Sequence, residues 1–403
     1  MNTDLSTHAS PSRRLRSPLL WSGITYWFFF GAIGTLSPFL GPYYRHLGLT
    51  GAQVGLLSAV PPIAIAVLAP IWGAAADRRG IHRRVLRIVI PPAAITIVLL
   101  TQVSGFVAIL LLIALWAMLM APVLPILDSY AITLSEAHGQ SYGRLRLWGT
   151  LGYMLSVVGV GWWMRTAPRT SFLFVYVALL ACLLLATVGL PASQNRTSSA
   201  GPRMQSNLKV LLRGQPALAL LLVVSFLVSI GMSTLGNFFG IYITELGGTS
   251  AQIGLANAVL ALSEIPIMLG AAWLQRKLGN PRMILLALVV YFARFILYSI
   301  APSANWIILI QVLHGLSFAV YLVASIRLVY ELSGKAQAAT AQSVLASVMA
   351  IGNIVGAFAN GFLLDHFGIA AIFWSASAAV LVALVLFGLG YRHIVMPAGS
   401  RRL

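Results

Sequence analysis

Residues 35–60 read TLSPFLGPYYRHLGLTGAQVGLLSAV, and residues 234–259 read TLGNFFGIYITELGGTSAQIGLANAV. At a constant offset of 199 residues, 14 of the 26 positions are identical. That offset is close to half of the 403-residue chain, so the sequence is two related halves. Repetition on this scale in an apolar chain points to a membrane protein assembled from paired helical bundles.

Composition agrees. The chain is 59% hydrophobic and only 8% charged, with mean hydropathy +0.90; soluble domains carry about 25% charged residues. Apolar stretches of about 20 residues, each long enough to cross a bilayer's hydrocarbon, recur from Leu19 to Tyr391. Their centres fall near residues 31, 65, 95, 120, 153, 181, 230, 262, 291, 317, 351 and 381. The expected fold is therefore an all-α membrane protein with twelve transmembrane helices in two pseudo-symmetric six-helix bundles. Residues 19–190 form the first bundle and 217–392 the second. Residues 191–216, rich in Ser, Pro, Arg and Asn, read as a solvated linker, and 1–18 and 393–403 as tails. The basic start (Arg13, Arg14, Arg16) runs directly into a full-length span, so no cleavable signal peptide is expected. The single cysteine, Cys182, excludes an intrachain disulfide and a multi-cysteine metal site. No cofactor or metal is expected.

Lysine and arginine set the orientation. With both termini cytoplasmic, 21 of the 26 basic residues fall on the cytoplasmic side; Arg45, Arg165 and Arg169 lie outside, and Arg294 and Arg327 within spans. The net charge of +18 is then mostly a topological signal. The basic residues are scattered over short loops and tails, which argues against nucleic acid as a partner. A monomer in a bacterial-type cytoplasmic (inner) membrane is expected.

The segment GAAADRRGIHRR (73–84) follows the second span. It resembles the signature loop of the major facilitator superfamily, carried here by Gly73, Asp77, Arg78, Gly80, Arg83 and Arg84. Gly73 is expected to permit close helix approach, and Asp77 to face the N-terminus of a neighbouring helix or an arginine when that end is closed. The second half keeps Lys277 and Gly279 but has Arg276 at the aspartate's place. The stretches PVLPILDSYA and YGRLRLWGTLGY within 122–153, then Glu264, Arg294 and QVLHG (311–315), are similar to the phenylpropionate permease and lactose permease branch, over essentially the whole chain. That resemblance implies two six-helix bundles around a central cavity, with alternating access usually driven by a proton gradient.

Charges at a bilayer's centre cost several kcal/mol. Of eight acids, Asp128 and Glu264 lie well inside apolar helices; their basic counterparts are Arg146, Arg294 and Arg327. The short hairpin between spans 4 and 5 allows Asp128 to meet Arg146, with Arg144 beside it and Tyr153 two turns on along a similar face. Lactose permease has an acid, an arginine and a sugar-stacking aromatic at the matching positions, which implies substrate binding by Asp128, Arg146 and Tyr153; Arg144, which opens span 5 with Arg146, and Arg327, which the phenylpropionate branch shares, are further candidates. A structural ion pair and lipid-facing packing are the plainer alternatives. Gln311 and His314 are three apart, on one face of span 10. The resemblance implies that Glu264, Arg294, His314 and Gln311 couple substrate to protons; a static Glu264–Arg294 bridge and a core histidine are the alternatives. This chain departs from lactose permease at Ser317, where that permease has a second acid, and at Gln311, where it has a lysine. Two acids against three arginines leave one positive charge, which an anionic substrate would neutralise unless Arg327 pairs with Glu331.

Glycines inside spans (Gly31, Gly34, Gly149, Gly152, Gly159, Gly161, Gly352, Gly356) allow close packing and sliding. No HExxH, phosphate-binding loop, CxxC or Ser-His-Asp constellation is present, so no enzyme is expected. The expected function is proton-coupled symport of a small organic solute, a sugar or an aromatic or other carboxylate. The rivals are a proton-driven exporter of hydrophobic compounds and a non-transporting sensor.

Overall fold

The computed structural model describes residues 12–140, 142–191 and 215–395, and side chains for all of these except 12–17, 74, 77, 78, 335, 336 and 392–395. Residues 1–11, 192–214 and 396–403 of the expected tails and linker lie outside this range; residues 12–18 of the expected first tail are helical. Among the described residues the chain is helical, with no strand. The first half contains α1 (Ser12–His46), α2 (Gly51–Arg79), α3 (His82–Leu100), α4 (Phe106–Met120), α5 (Val123–Ala137), α6 (Tyr142–Trp163) and α7 (Ser171–Ala186). The second contains α8 (Pro216–Met232), α9 (Asn237–Glu245), α10 (Ser250–Leu278), α11 (Asn280–Ser299), α12 (Ala304–Ile310), α13 (Val320–Phe367) and α14 (Ile369–Val395). α4 and α5 together make one long rod, Phe106–Ala137. Gly334, at φ +70°, divides α13 into two rods.

Among the described residues, ten helical segments are long and apolar enough to cross a membrane. α3 and α6 fall short of that standard although they are 19 and 22 residues long. Their opening turns hold Arg83, Arg84 and Arg87, and Arg144 and Arg146, which dilute the apolar run.

The repeated stretch builds the same corner twice. Gly48 (φ +81°) and Gly247 (φ +75°) take the left-handed conformation that ends one helix. Thr50 and Thr249 then open α2 and α10 as reciprocal capping boxes: each threonine oxygen accepts from the backbone of Gln53 or Gln252, whose side chain accepts from the threonine's own N–H. Tyr43 donates to the carbonyl of Leu100, and Tyr242 to that of Tyr298. The repeated residues are thus the ones the corner needs.

The two halves meet through backbone crossings at glycine. A Cβ on Gly41 would overlap the carbonyl of Asn237, and one on Gly254 that of Val157. A Cβ on Gly161 would lie 2.6 Å from the carbonyl of Ser250, and one on Gly55 2.5 Å from that of Ala357. Small residues maximise dispersion contact where apolar burial gives no net driving force. All four crossings lie towards the end carrying residues 47–50 and 246–249, so that end is sealed. Gly31, Gly34, Gly149, Gly152, Gly161, Gly352 and Gly356 also sit at tight contacts, as expected. Gly73 and Gly159 do not: no described residue comes within 4 Å of a Cβ there. The close approach expected at Gly73 is absent because it lies towards the opposite, open end of the molecule.

A tryptophan at Gly254 has no room while the sealed end is closed. Overpacking costs ~1–3 kcal/mol. In a Cys182→Ser background with a cysteine at Ser58, Gly254→Trp should therefore raise labelling from the sealed side by roughly ten-fold.

Candidate substrate and coupling site

A cavity of about 890 Å³ lies between the halves. Trp116, Tyr153 and Tyr176 line it from the first half, and Asn257, Glu264 and His314 from the second. Tyr153 donates to Asn257 Oδ1 (3.2 Å), joining the halves across α6 and α10. The lipid-facing alternative for Tyr153 is therefore excluded.

Behind the second-half wall sits Arg294, with no exposed surface. Its Nη1 donates to Ser317 Oγ (2.5 Å), and its Nη2 donates to Tyr298 Oη (3.0 Å), Gln311 Oε1 (3.1 Å) and His314 Nδ1 (3.1 Å). None of these partners is a carboxylate. The direct Glu264–Arg294 bridge weighed from sequence gives way to a relay through histidine. A guanidinium only donates, so His314 Nδ1 must present its lone pair. Nε2 then carries the hydrogen and donates to Glu264 Oε1 (3.1 Å). Glu264 lies in the fields of Arg294 and, from the opposite half, Arg146.

Local backbone irregularity makes this relay reachable. Residues Gln311–Leu313 form a 3₁₀ turn and Gly315–Ala319 a π turn, the kind of helix distortion that marks functional sites. Gly315 lets its rod lie against Ser263, whose Oγ accepts from the Gly315 N–H (2.9 Å). A side chain at position 315 would push His314 away from Glu264. Pro266 lies two residues beyond Glu264 within α10.

The first half holds the second cluster. Asp128 Oδ1 accepts from Tyr26 and from Tyr142 (2.9 Å). Arg146 Nη1 stands 3.9 Å from the same oxygen, with the two side chains 46% and 31% exposed. The guanidinium also donates to Tyr142 Oη (3.3 Å) and lies 4.9 Å from the Phe30 ring centre. The expected Asp128–Arg146 meeting is thus present, reinforced by two tyrosines and an aromatic face.

Two residues stand apart from this cluster. Arg144 donates to Gln140 Oε1 (2.8 Å) and is exposed. Arg327 is exposed, and Glu331, weighed as its partner, accepts instead from Asn280 Nδ2 (2.8 Å). In the signature loop, Gly80 is the left-handed cap of α2 (φ 61°). Arg83 donates to the carbonyls of Leu190 (2.9 Å) and Val188 (3.3 Å), tying the loop to the end of the first half. Arg84 is exposed, and the side chains of Asp77 and Arg78 lie outside the described residues.

Sequence reasoning missed Tyr26, Phe30, Tyr142, Tyr298 and Asn257. Tyr26 and Phe30, and Arg294 and Tyr298, are each four apart and so share a helix face, a signal present in the sequence. Tyr26 reaching Asp128 across 102 residues left no such signal. No group of three metal-ligating side chains occurs among the described residues.

The family model described as the MFS_1 like family matches residues 19–375. The maltose permease of Geobacillus stearothermophilus is 29% identical over 367 residues, covering 90% of this chain and 91% of the permease. The probable 3-phenylpropionic acid transporter of Escherichia coli K12 is 23% identical over 379 residues, covering 91% and 96%. The crystal structure of the nucleoside transporter NupG superposes with a TM-score of 0.80 at 20% identity, covering 93% and 99%. The family model covers residues 19–375, and a fold held over nearly the full length of a solved transporter, two halves joined by one repeated corner and a largely apolar cavity between them agree with it: the chain belongs to the MFS_1 like family, and is a multi-pass membrane transporter rather than an enzyme.

Proposed function

We propose that this protein is a proton-coupled symporter of an uncharged, hydroxyl-bearing small solute with one apolar face, working by alternating access. The observation that carries the reading is the cavity wall. It offers aromatic faces, neutral amides and hydroxyls and the Glu264–His314 pair, and no lysine or arginine lines it among the described residues. Hydroxyls satisfy such a wall, and a ring face suits Tyr153 and Trp116. A carboxylate would meet Glu264 instead of a free cation, since Arg146 is already held beside Asp128. The similarity to a maltose permease supports the same choice. The similarity to a 3-phenylpropionic acid transporter favours the carboxylate reading, for which Arg146 is exposed enough to serve.

The proton reading rests on Glu264. It is a carboxylate on the cavity wall, 26% exposed, linked through a neutral imidazole to a permanently charged arginine. Protonating it leaves Arg294 without its counter-charge, so the proton changes what the cluster needs from a ligand or from water. We take α3 and α6 as spans beside the ten apolar segments, giving twelve, in bundles 19–190 and 217–392. The basic ends of α2, α3, α6 and α10 lie towards the open end, which supports a cytoplasmic orientation for that end and for both termini.

Glu264→Gln should abolish proton-driven accumulation in vesicles and leave counterflow exchange intact, because exchange needs no net proton release. Normal accumulation in this variant would place the proton site elsewhere. A carboxylate bound by Arg146 would lose affinity in Arg146→Lys, which keeps the charge but loses the two-pronged geometry, nearly as far as in Arg146→Ala; the uncharged solute proposed here, held by a wall without arginine, should bind both variants nearly as well as the parent protein. For the carboxylate, losses of about 10- to 100-fold match hydrogen bonds involving charged groups. Asp128→Asn removes the charge that holds Arg146, so it should tighten a carboxylate and leave an uncharged solute nearly unchanged, read by thermal shift or calorimetry on purified protein.

A further inference from the structure

The sealed end carries an interaction that glycine packing does not require. Asp365, two residues before the end of α13, reaches across to the first half. Its Oδ1 accepts from the backbone N–H of Gly51 (2.5 Å) and its Oδ2 from that of Ala52 (2.7 Å). These are two of the opening donors of α2, which have no partner inside the helix. The capping box of Thr50 and Gln53 satisfies the N–H groups on either side of them. The four successive donors at the start of α2 are thus complete only when α13, from the other half, lies against it. The carboxylate also faces the positive end of a 29-residue helix dipole.

The geometry points to Asp365 as a releasable clasp that holds this end shut; this inference rests on the alternating-access reading. The clasp is made of one carboxylate and two backbone groups, and it spans the two halves. Opening the sealed end must break both bonds at once, and water replaces them, because Asp365 is exposed. The net cost of opening is then modest, as a reversible step requires. The sequence repeats the pattern at the opposite end: DRRG (77–80) closes α2 as DHFG (365–368) closes α13, each with its aspartate three residues before a helix-ending glycine of positive φ. α2 and the second rod of α13 meet at the sealed end, where a Cβ on Gly51 would overlap the carbonyl of Gly361 and one on Gly55 that of Ala357.

The test uses the full-length protein in membranes, with Cys182→Ser and a reporter cysteine at Ser58, a cavity-lining position near the sealed end. A membrane-impermeant maleimide is applied from either side without substrate. Asp365→Ala and Asp365→Asn should each raise labelling from the sealed side about five-fold, the population shift expected for losing a helix cap, and lower labelling from the open side. Asp365→Glu should recover part of both changes. A rise from both sides would mean general loosening and overturn the clasp. Unchanged labelling in Asp365→Ala while Gly254→Trp responds would overturn the clasp and leave alternating access standing. No response in either variant would overturn both.

Discussion

Hydrocarbon offers a backbone amide no hydrogen-bond partner, so a chain this apolar must satisfy every N–H and C=O within itself. Helices do this along their length and fail at their ends, where donors and carbonyls are left over. The structure treats those ends as its points of control. Capping boxes at Thr50 and Thr249 close the openings of α2 and α10, left-handed glycines close the preceding turns, and tyrosines from α1 and α9 reach the final carbonyls of α3 and α11. With the termini settled locally, rods pack by shape alone, and glycine crossings become the joints between the halves.

The same rule makes interior polar groups informative. A guanidinium with no exposed surface persists because four oxygens and nitrogens surround it and a carboxylate balances it through histidine. Replacing that carboxylate's direct contact with a relay has a consequence. Glu264 stays on the cavity wall, partly exposed, while Arg294 stays behind it, fully buried. A direct bridge would have drawn the acid away from the cavity. Ser317 and Tyr298 accept from the guanidinium on the buried side, so Arg294 keeps these two anchors whichever way Glu264 is occupied.

The fold was legible because the repeat is long and its identical residues have fixed jobs: glycine for positive φ, threonine and glutamine for a capping box, tyrosine for a distant carbonyl. The clusters were legible as far as rarity carries. Asp128, Glu264, Arg146, Arg294 and His314 stand out in a chain with eight acids, and the structure brings them into two groups. What sequence spacing did not reveal is which neutral residue stands between them. His314 interposed between Glu264 and Arg294, and Tyr26 beneath Asp128, depend on how rods from distant parts of the chain are rotated. Arg327 shows the converse: it sits within an apolar stretch of sequence, yet its side chain is exposed.

Asp365 illustrates the limit best. Near a span's end, an acid reads as an ordinary solvated residue, and its exposure agrees. Its importance comes from the partner, since the groups it binds are backbone donors that no sequence pattern displays. Backbone-to-carboxylate bonds suit a moving joint better than a second side-chain ion pair would. The helix end is rigid and always charged in the same sense, water substitutes for the carboxylate when the halves part, and no buried charge is stranded in either state. The glycine crossings beneath it supply fit without directionality; the carboxylate adds direction at the rim. Together they hold one end of the molecule shut, by fit below and by direction at the rim.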